Sequence, residues 1–383
     1  MSICIIYDCL YPHTVGGAER WYRNLALRLA DEGHDVTYLT MRQWDKQTPP
    51  DLPGVRVIAA APRMHLYAAA GRRRIWPPVA FGLGVLRHLA RHGSRYDIVH
   101  TASFPYFPLL AAGLLRRRGR YRLLVDWHEV WSREYWNEYL GPLGAIGFSV
   151  QSLCMHLHQE AFCFSRLHAR RLRGRGGAGR VTVLRGQYEA DPNTVVHPAE
   201  PDGGKSTIVF AGRHIPEKRV TAIVPAFLHA RETFPELRCL IFGDGPDRAE
   251  LLAQIDSNGL SDVTESPGFV AQEQVEDALQ SALCLLLPSR REGYGLIVVE
   301  ALARGTPVVV VDGLDNAAVE LVMPGVNGFV AEAVSPEALA EAILRVQTGG
   351  AALRESTAAW YARNARMLSL ECSLETVANI YAH

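Results

Sequence analysis

The chain has 383 residues, 48% of them apolar, with 40 lysines and arginines balanced by 40 aspartates and glutamates. That much apolar sequence exceeds one core and predicts two domains, while zero formal charge excludes a chain-wide field selecting nucleic acid or an anionic membrane. The seven cysteines are an odd set without a C-x-x-C pair, and Cys239 and Cys284 lie in apolar runs. They read as buried thiols of a reducing compartment, not a disulfide frame or zinc site.

The opening MSICIIYDCLYP lacks a charged lead before its short apolar run, and no apolar run nears the roughly 18 residues of a spanning helix. A cytoplasmic protein is expected, with peripheral contact at the inner face of a membrane left open. In chain order, ICIIY precedes the helical AERWYRNLALRLADEG, and DVTYLT, VRVIAA, YDIVHT and RLLVDW follow as strands. After residue 205 the alternation restarts with STIVFAG, a helix from about Glu217, LRCLIFGDG, ALCLLLP, a helix holding Glu300, and TPVVVVD. Apolar strands separated by helices predict parallel sheets covered on both faces, and two restarts predict two such domains. The boundaries expected are 1–186, a Pro- and Gly-rich linker at 187–204, 205–360, and a last helix at 361–383.

In open parallel sheets, ligands gather at the carboxyl ends of strands, where loops enter helices. Four candidates fall on such loops. In SRREGYGLIVVEALARG, Gly293 and Gly295 let backbone amides approach an anion, and Glu292 and Glu300 offer carboxylates to hydroxyl groups on either side, Glu300 about two turns into the helix. In AGRHIPEKR, Gly212 precedes Arg213 and Lys218, two cations suited to a diphosphate leaving group. In YPHTVGGAERW, Gly16 and Gly17 form the first strand-to-helix turn, without a G-x-G-x-x-G fingerprint. In LLVDWHEVW, Asp126, His128 and Glu129 end a strand, where a histidine suits a sugar hydroxyl or a proton. Each also has a plainer reading: solvated charges, a tight turn, a structural histidine. FGDGP at 242–246 reads as a tight turn, and RRLRGRGGAGR as a solvated helix end.

Together these segments resemble glycosyltransferase family 4, nucleotide-sugar-dependent retaining enzymes of GT-B fold; PSRREGYGLIVVEALARGTPVVV carries the family's E-x7-E signature. The resemblance implies an α/β GT-B architecture, two Rossmann-like domains facing across a cleft. It implies that Glu300 binds the ribose hydroxyls, that Glu292 faces the donor sugar, and that the amides of Gly293, Tyr294, Gly295 and Leu296 surround sugar and diphosphate. Arg213 and Lys218 match the basic pair on the diphosphate, Gly16 and Gly17 the loop meeting the phosphate, and His128 the histidine contacting the sugar. Tyr294 stands where phenylalanine is commoner, and Asn316, Ala317 and Ala318 stand where many members have glycines.

The expected reaction moves a sugar from a nucleotide-diphosphate donor to a hydroxyl acceptor with retention, in cell-envelope glycan or glycolipid assembly. The departing phosphate takes the acceptor's proton, and no metal or cofactor is expected, since no D-x-D motif follows a strand and the basic pair can serve instead. The alternatives are transfer to a small natural product, an epimerase or phosphorylase of the same fold, and an inactive sugar-nucleotide-binding subunit. The aromatic run Trp127, Trp131, Tyr135 and Trp136 suits either sugar stacking or helix packing. GRRRIWPPVAFGLGVLRHLARHG, residues 71–93, reads as an acceptor-side helix with a basic lead-in, or as an interfacial membrane element.

Overall fold

The β-branched runs and helical patterns assemble into two parallel sheets in a computed structural model describing residues 1–14, 16–45, 50–66, 74–175, 179–189 and 206–382. The described residues fall into two units, 1–187 with 371–383, and 188–370.

The first unit holds strands β1 (Ser2–Ile6), β2 (Asp35–Met41), β3 (Val55–Ala61), β4 (Ile98–Ala102), β5 (Arg122–Trp127), β6 (Glu160–Cys163) and β7 (Val181–Val183), ordered β3-β2-β1-β4-β5-β6-β7. Every pairing is parallel. Helices α1 (Gly17–Asp31), α2 (Trp76–His92), α3 (Phe107–Gly119), α4 (Arg133–Leu140), α5 (Gly144–Met155) and α6 (Arg166–Arg173) connect them. In α1, Trp21, Tyr22, Leu25, Ala26 and Leu29 recur at helical spacing and form its buried stripe. Ser132 and Ser165 cap α4 and α6, accepting from the amides of Tyr135 and His168.

The second unit holds β8 (Thr207–Ala211), β9 (Arg238–Phe242), β10 (Thr264–Gly268), β11 (Cys284–Leu287), β12 (Arg291–Glu292), β13 (Val308–Val311), β14 (Asp315–Asn316) and β15 (Gly328–Ala331). Its main sheet is ordered β10-β9-β8-β11-β13-β15, and β12 pairs with β14 apart from it. Counted from its own first strand, this is the same 3-2-1-4-5-6 order that opens the first sheet, so both units carry the doubly wound topology. Helices α7 (Ile223–Thr233), α8 (Arg248–Ser257), α9 (Gln272–Ser281), α10 (Leu296–Leu302) and α11 (Pro336–Leu368) complete the unit, α11 being interrupted at Gly350. Leu285, Leu286 and Val308–Val310 are fully buried beneath Leu339 and Ile343 of α11, as strands covered on both faces require.

The last helix, α12 (Leu370–Ala382), completes the first unit. Arg122 of β5 donates to the carbonyls of Ile380 and Tyr381 at 2.9 and 3.0 Å, satisfying the end of the helix. Residues 361–370 group with the second unit and residues 371–383 with the first. The linker expected at 187–204 lies outside the described residues from 190 onward, as do residues 71–73 and 176–178.

Three expectations need correcting. The helix expected from Glu217 starts at Ile223, because 216–218 and 220–222 form 3-10 turns around Arg219, which takes φ 50°. Asp126 does not face a ligand site but is fully buried. Glu300 is the fifth residue of α10, little more than one turn in. Trp127, Trp131, Tyr135 and Trp136 are all buried: Gln151 accepts from the Trp131 amide and the Trp136 indole and donates to the Trp131 carbonyl, while the Trp127 indole donates to Gln159 at 2.9 Å. The aromatic run is therefore helix packing. Six cysteines are buried and Cys372 half-buried, all as free thiols; burial pushes Cys163 and Cys284 up to about 12.

Candidate functional site

In the second unit β8 and β11 are neighbours, and the chain leaves them in opposite directions across the sheet. This topological switch point is where an open parallel sheet leaves room for a ligand. Gly212, Arg213 and Lys218 follow β8, while Glu292–Leu296 and Glu300 follow β11, so the two segments singled out in the sequence converge.

Local contacts bind them together. The Lys218 ammonium meets the Glu292 carboxylate at 2.5 Å, both largely buried. Beside that pair the Arg290 amide donates to the Glu217 carbonyl at 2.8 Å, and the Arg291 guanidinium stands 3.9 Å from the Glu217 carboxylate. The 3-10 turn carrying Lys218 is thus held to the segment carrying Glu292. Arg213 is exposed and forms no ion pair with a described residue. One cation is positioned by the fold, and the other is available to an incoming anion.

Backbone geometry explains the glycines. Gly295, before α10, takes φ 94° and ψ 55°, and a Cβ there would stand 2.8 Å from that of Ala318. Gly243, in the FGDGP turn, takes φ 118°, and a Cβ would collide with the Gly212 carbonyl. That turn is more than a connection: the Asp244 carbonyl accepts from the His214 amide at 2.8 Å, so FGDGP supports the loop carrying Arg213. Asn316 donates to the carbonyls of Ser289 and Val311 and accepts from the Ala318 amide. Tyr294 is buried. The Glu300 carbonyl accepts from Arg304, whose guanidinium also reaches Tyr188 and Glu276.

In the first unit, Gly16 and Gly17 begin α1 after β1, and His128 follows β5. Sequence reasoning missed what joins them. The Trp21 indole of α1 donates to Asp126 at 2.7 Å, while the other oxygen of Asp126 pairs with His100 Nε2 at 2.8 Å. His100 Nδ1 lies 2.6 Å from the Tyr381 hydroxyl of α12. Burial pushes the Asp126 carboxyl up, but His100 and Trp21 outweigh it and hold the group below the usual range. His128 stacks on Phe164 at 4.6 Å with Tyr22 edge-on at 6.0 Å, and its Nε2 has no hydrogen-bond partner among the described residues. Burial lowers its pKa, against the attraction of Asp126, so the imidazole is neutral near pH 7. The Glu129 carboxylate accepts from the Trp131 indole at 2.5 Å. A signal for the link was present in the sequence: Trp21 and Tyr22 sit side by side on the buried stripe of the helix that Gly16 and Gly17 begin.

Comparisons with known proteins cover both units. Residues 15–186 match the model of Glycosyltransferase Family 4, and residues 196–365 that of Glycosyl transferases group 1. The chain is 26% identical over 328 residues to glycogen synthase of Mycobacterium tuberculosis, covering 78% of this chain and 75% of that protein. It is 32% identical over 152 residues to a D-inositol 3-phosphate glycosyltransferase of Streptomyces scabiei, covering 32% of this chain and 34% of that one. Among solved structures, sucrose-phosphate synthase from Thermosynechococcus elongatus superposes with TM-score 0.77 at 18% identity, over 100% of this chain and 98% of that one. HepE of Anabaena, solved with UDP-glucose, gives 0.73 at 18% identity, over 100% and 99%.

Proposed function

The chain belongs to the family 4 glycosyltransferases of GT-B fold, and from that premise we propose that it moves a sugar, with retention, from a nucleotide-diphosphate donor to a hydroxyl acceptor in glycan or glycolipid assembly. The observation carrying this reading is the convergence of Arg213, Lys218, Glu292 and Glu300 on one switch point. The UDP-glucose held by HepE supports a nucleotide-sugar donor.

In this reading the second unit holds the donor. Glu300 accepts two ribose hydroxyls, Glu292 faces the sugar, and the amides from Gly293 to Leu296 approach sugar and diphosphate. Arg213 and Lys218 stabilise the charge gained by the diphosphate as the anomeric bond breaks. The departing phosphate oxygen takes the acceptor hydroxyl's proton on the same face as the new bond forms, so no side chain is a nucleophile. His128, neutral, offers a hydrogen bond to the donor sugar and not a proton at pH 7. The basic pair supplies the charge that a metal supplies elsewhere.

A second reading is transfer to a small polyhydroxylated acceptor, favoured by the local likeness to a D-inositol 3-phosphate glycosyltransferase. The test is release of nucleoside diphosphate from a panel of nucleotide sugars in the presence of chelator, with anomeric configuration read by proton NMR once an acceptor is found. Metal-independent consumption of one donor, lost in Arg213→Ala, is expected. Binding without turnover for every donor and acceptor would favour an inactive sugar-nucleotide-binding subunit, and an inverted product would overturn retention.

A further inference from the structure

Helix α10 carries Glu300 two residues before its end. That end is already closed by a glycine stop: Gly305 takes φ 68°, and the amides of Gly305 and Thr306 turn back to the carbonyls of Leu302 and Ala301, each at 3.0 Å. The Arg304 amide reaches three residues back, to Ala301 at 3.0 Å, where a continuing helix would reach four, to Glu300. Its guanidinium takes the Glu300 carbonyl instead, at 2.8 Å. The same nitrogen donates to the Tyr188 hydroxyl at 3.0 Å, and the other terminal nitrogen meets the Glu276 carboxylate of α9 at 2.6 Å. With its side chain only 15% exposed, Arg304 is fixed on three partners, which a helix stop alone does not require.

Tyr188 has a particular place in the chain. The second unit begins at Tyr188 and ends at Leu370, and the unit joins these two ends to each other. The Tyr188 amide donates to the Leu368 carbonyl at 3.2 Å, and the Leu370 amide donates to the Tyr188 carbonyl at 2.8 Å, a parallel bridge across Ser369. The Tyr188 ring meets Tyr361 of α11 edge-on at 6.4 Å. Both passages of the chain therefore leave this unit side by side. The hydroxyl at that exit lies on the guanidinium that holds the backbone of Glu300.

We propose that Arg304 is a positioning residue for the ribose contact: it holds the backbone of Glu300 in register with Tyr188, so that the carboxylate meets the ribose already oriented and ribose binding is felt where the chain leaves the unit. The inference rests on the reading of Glu300 as the ribose ligand. An acceptor fixed in advance loses less freedom when it binds than one on a fraying last turn, and the gain appears only where that acceptor has a hydroxyl to meet. Arg213 and Lys218, which follow β8, are untouched by a change at Arg304. Loss of Arg304 should therefore erode the preference for ribose and leave the diphosphate contacts intact.

The experiment is calorimetric titration of the full chain with UDP, ADP and GDP, each beside its 2′-deoxy counterpart, for wild type and four variants. Wild type should bind at least one ribonucleotide about tenfold more tightly than the deoxy form, and Glu300→Ala should lose that preference. Arg304→Met should reduce it to about threefold or less, with the affinity for the deoxy form unchanged. Tyr188→Phe removes one hydroxyl, keeps the Arg304 charge, and should reduce the preference about twofold. Glu276→Gln weakens the ion pair alone and should keep the preference. A preference lost in Glu300→Ala but retained in Arg304→Met and Tyr188→Phe would overturn the inference alone, as would an equal loss in Glu276→Gln. No nucleotide binding by wild type, no ribose preference in wild type, or one that survives Glu300→Ala, would overturn the ribose reading of Glu300 and this inference with it.

Discussion

Lys218 and Arg213 stand five residues apart and carry the same charge, yet their surroundings separate their roles. Lys218 neutralises Glu292, which is 8% exposed, so Lys218→Ala leaves that carboxylate buried and unpaired. Urea denaturation should show a loss of about 1–3 kcal/mol, partly recovered in Lys218→Ala/Glu292→Gln. Arg213→Ala removes an exposed group and should change stability by less than about 0.5 kcal/mol while lowering donor turnover about 10²-fold or more. Equal stability losses in the two variants would contradict the pairing of Lys218 with a buried carboxylate and the exposure of Arg213.

Among the elements, the turn after β9 has the clearest consequence. Gly243→Ala places a Cβ against the Gly212 carbonyl in a backbone region that L side chains rarely adopt, which should cost about 1–3 kcal/mol and displace the Arg213 loop. Donor affinity should fall although no ligand contact is changed; unchanged affinity would separate the two loops. This scale also marks how far the sequence could be read. Strand and helix alternation was legible because ICIIY or TPVVVVD has no stable alternative in a large chain, and glycines beside charges marked the loops that carry the candidate site. The start of α7 was not, because Arg219 at φ 50° interrupts a pattern that continues in composition. Nor was the burial of Asp126, whose partners Trp21 and His100 lie 105 and 26 residues away. A carboxylate at a strand end reads the same in sequence whether it meets a ligand or an indole.

Across the first unit, the chain Trp21–Asp126–His100–Tyr381 ties α1, β5, β4 and α12 into one buried network. Its folded carboxyl titrates below its unfolded value, so the stability it contributes is full above about pH 4 and is lost as pH falls through the folded pKa. His128 acts in the same direction from higher pH: its folded pKa is lowered, so below about pH 6.5 the unfolded chain binds the proton first and stability declines. Thermal midpoints from pH 8 to pH 4 should therefore fall monotonically, and His128→Gln should flatten the upper part of that slope. Tyr381→Phe, which leaves His100 Nδ1 without its hydroxyl, should cost about 1–3 kcal/mol, and hydrogen exchange should show α12 protected less.

The central claim is that the switch point of the second sheet binds a nucleotide-diphosphate sugar. Its most direct measurement is calorimetric titration of wild type and Glu300→Ala with UDP-glucose and the other common nucleotide sugars, in chelator. The account predicts saturable binding of at least one donor by wild type, and a loss in Glu300→Ala of about 1–3 kcal/mol, roughly tenfold to a hundredfold, for the charge-assisted ribose hydrogen bonds. Binding undiminished in Glu300→Ala, or no binding of any nucleotide sugar by a folded wild type, would contradict it.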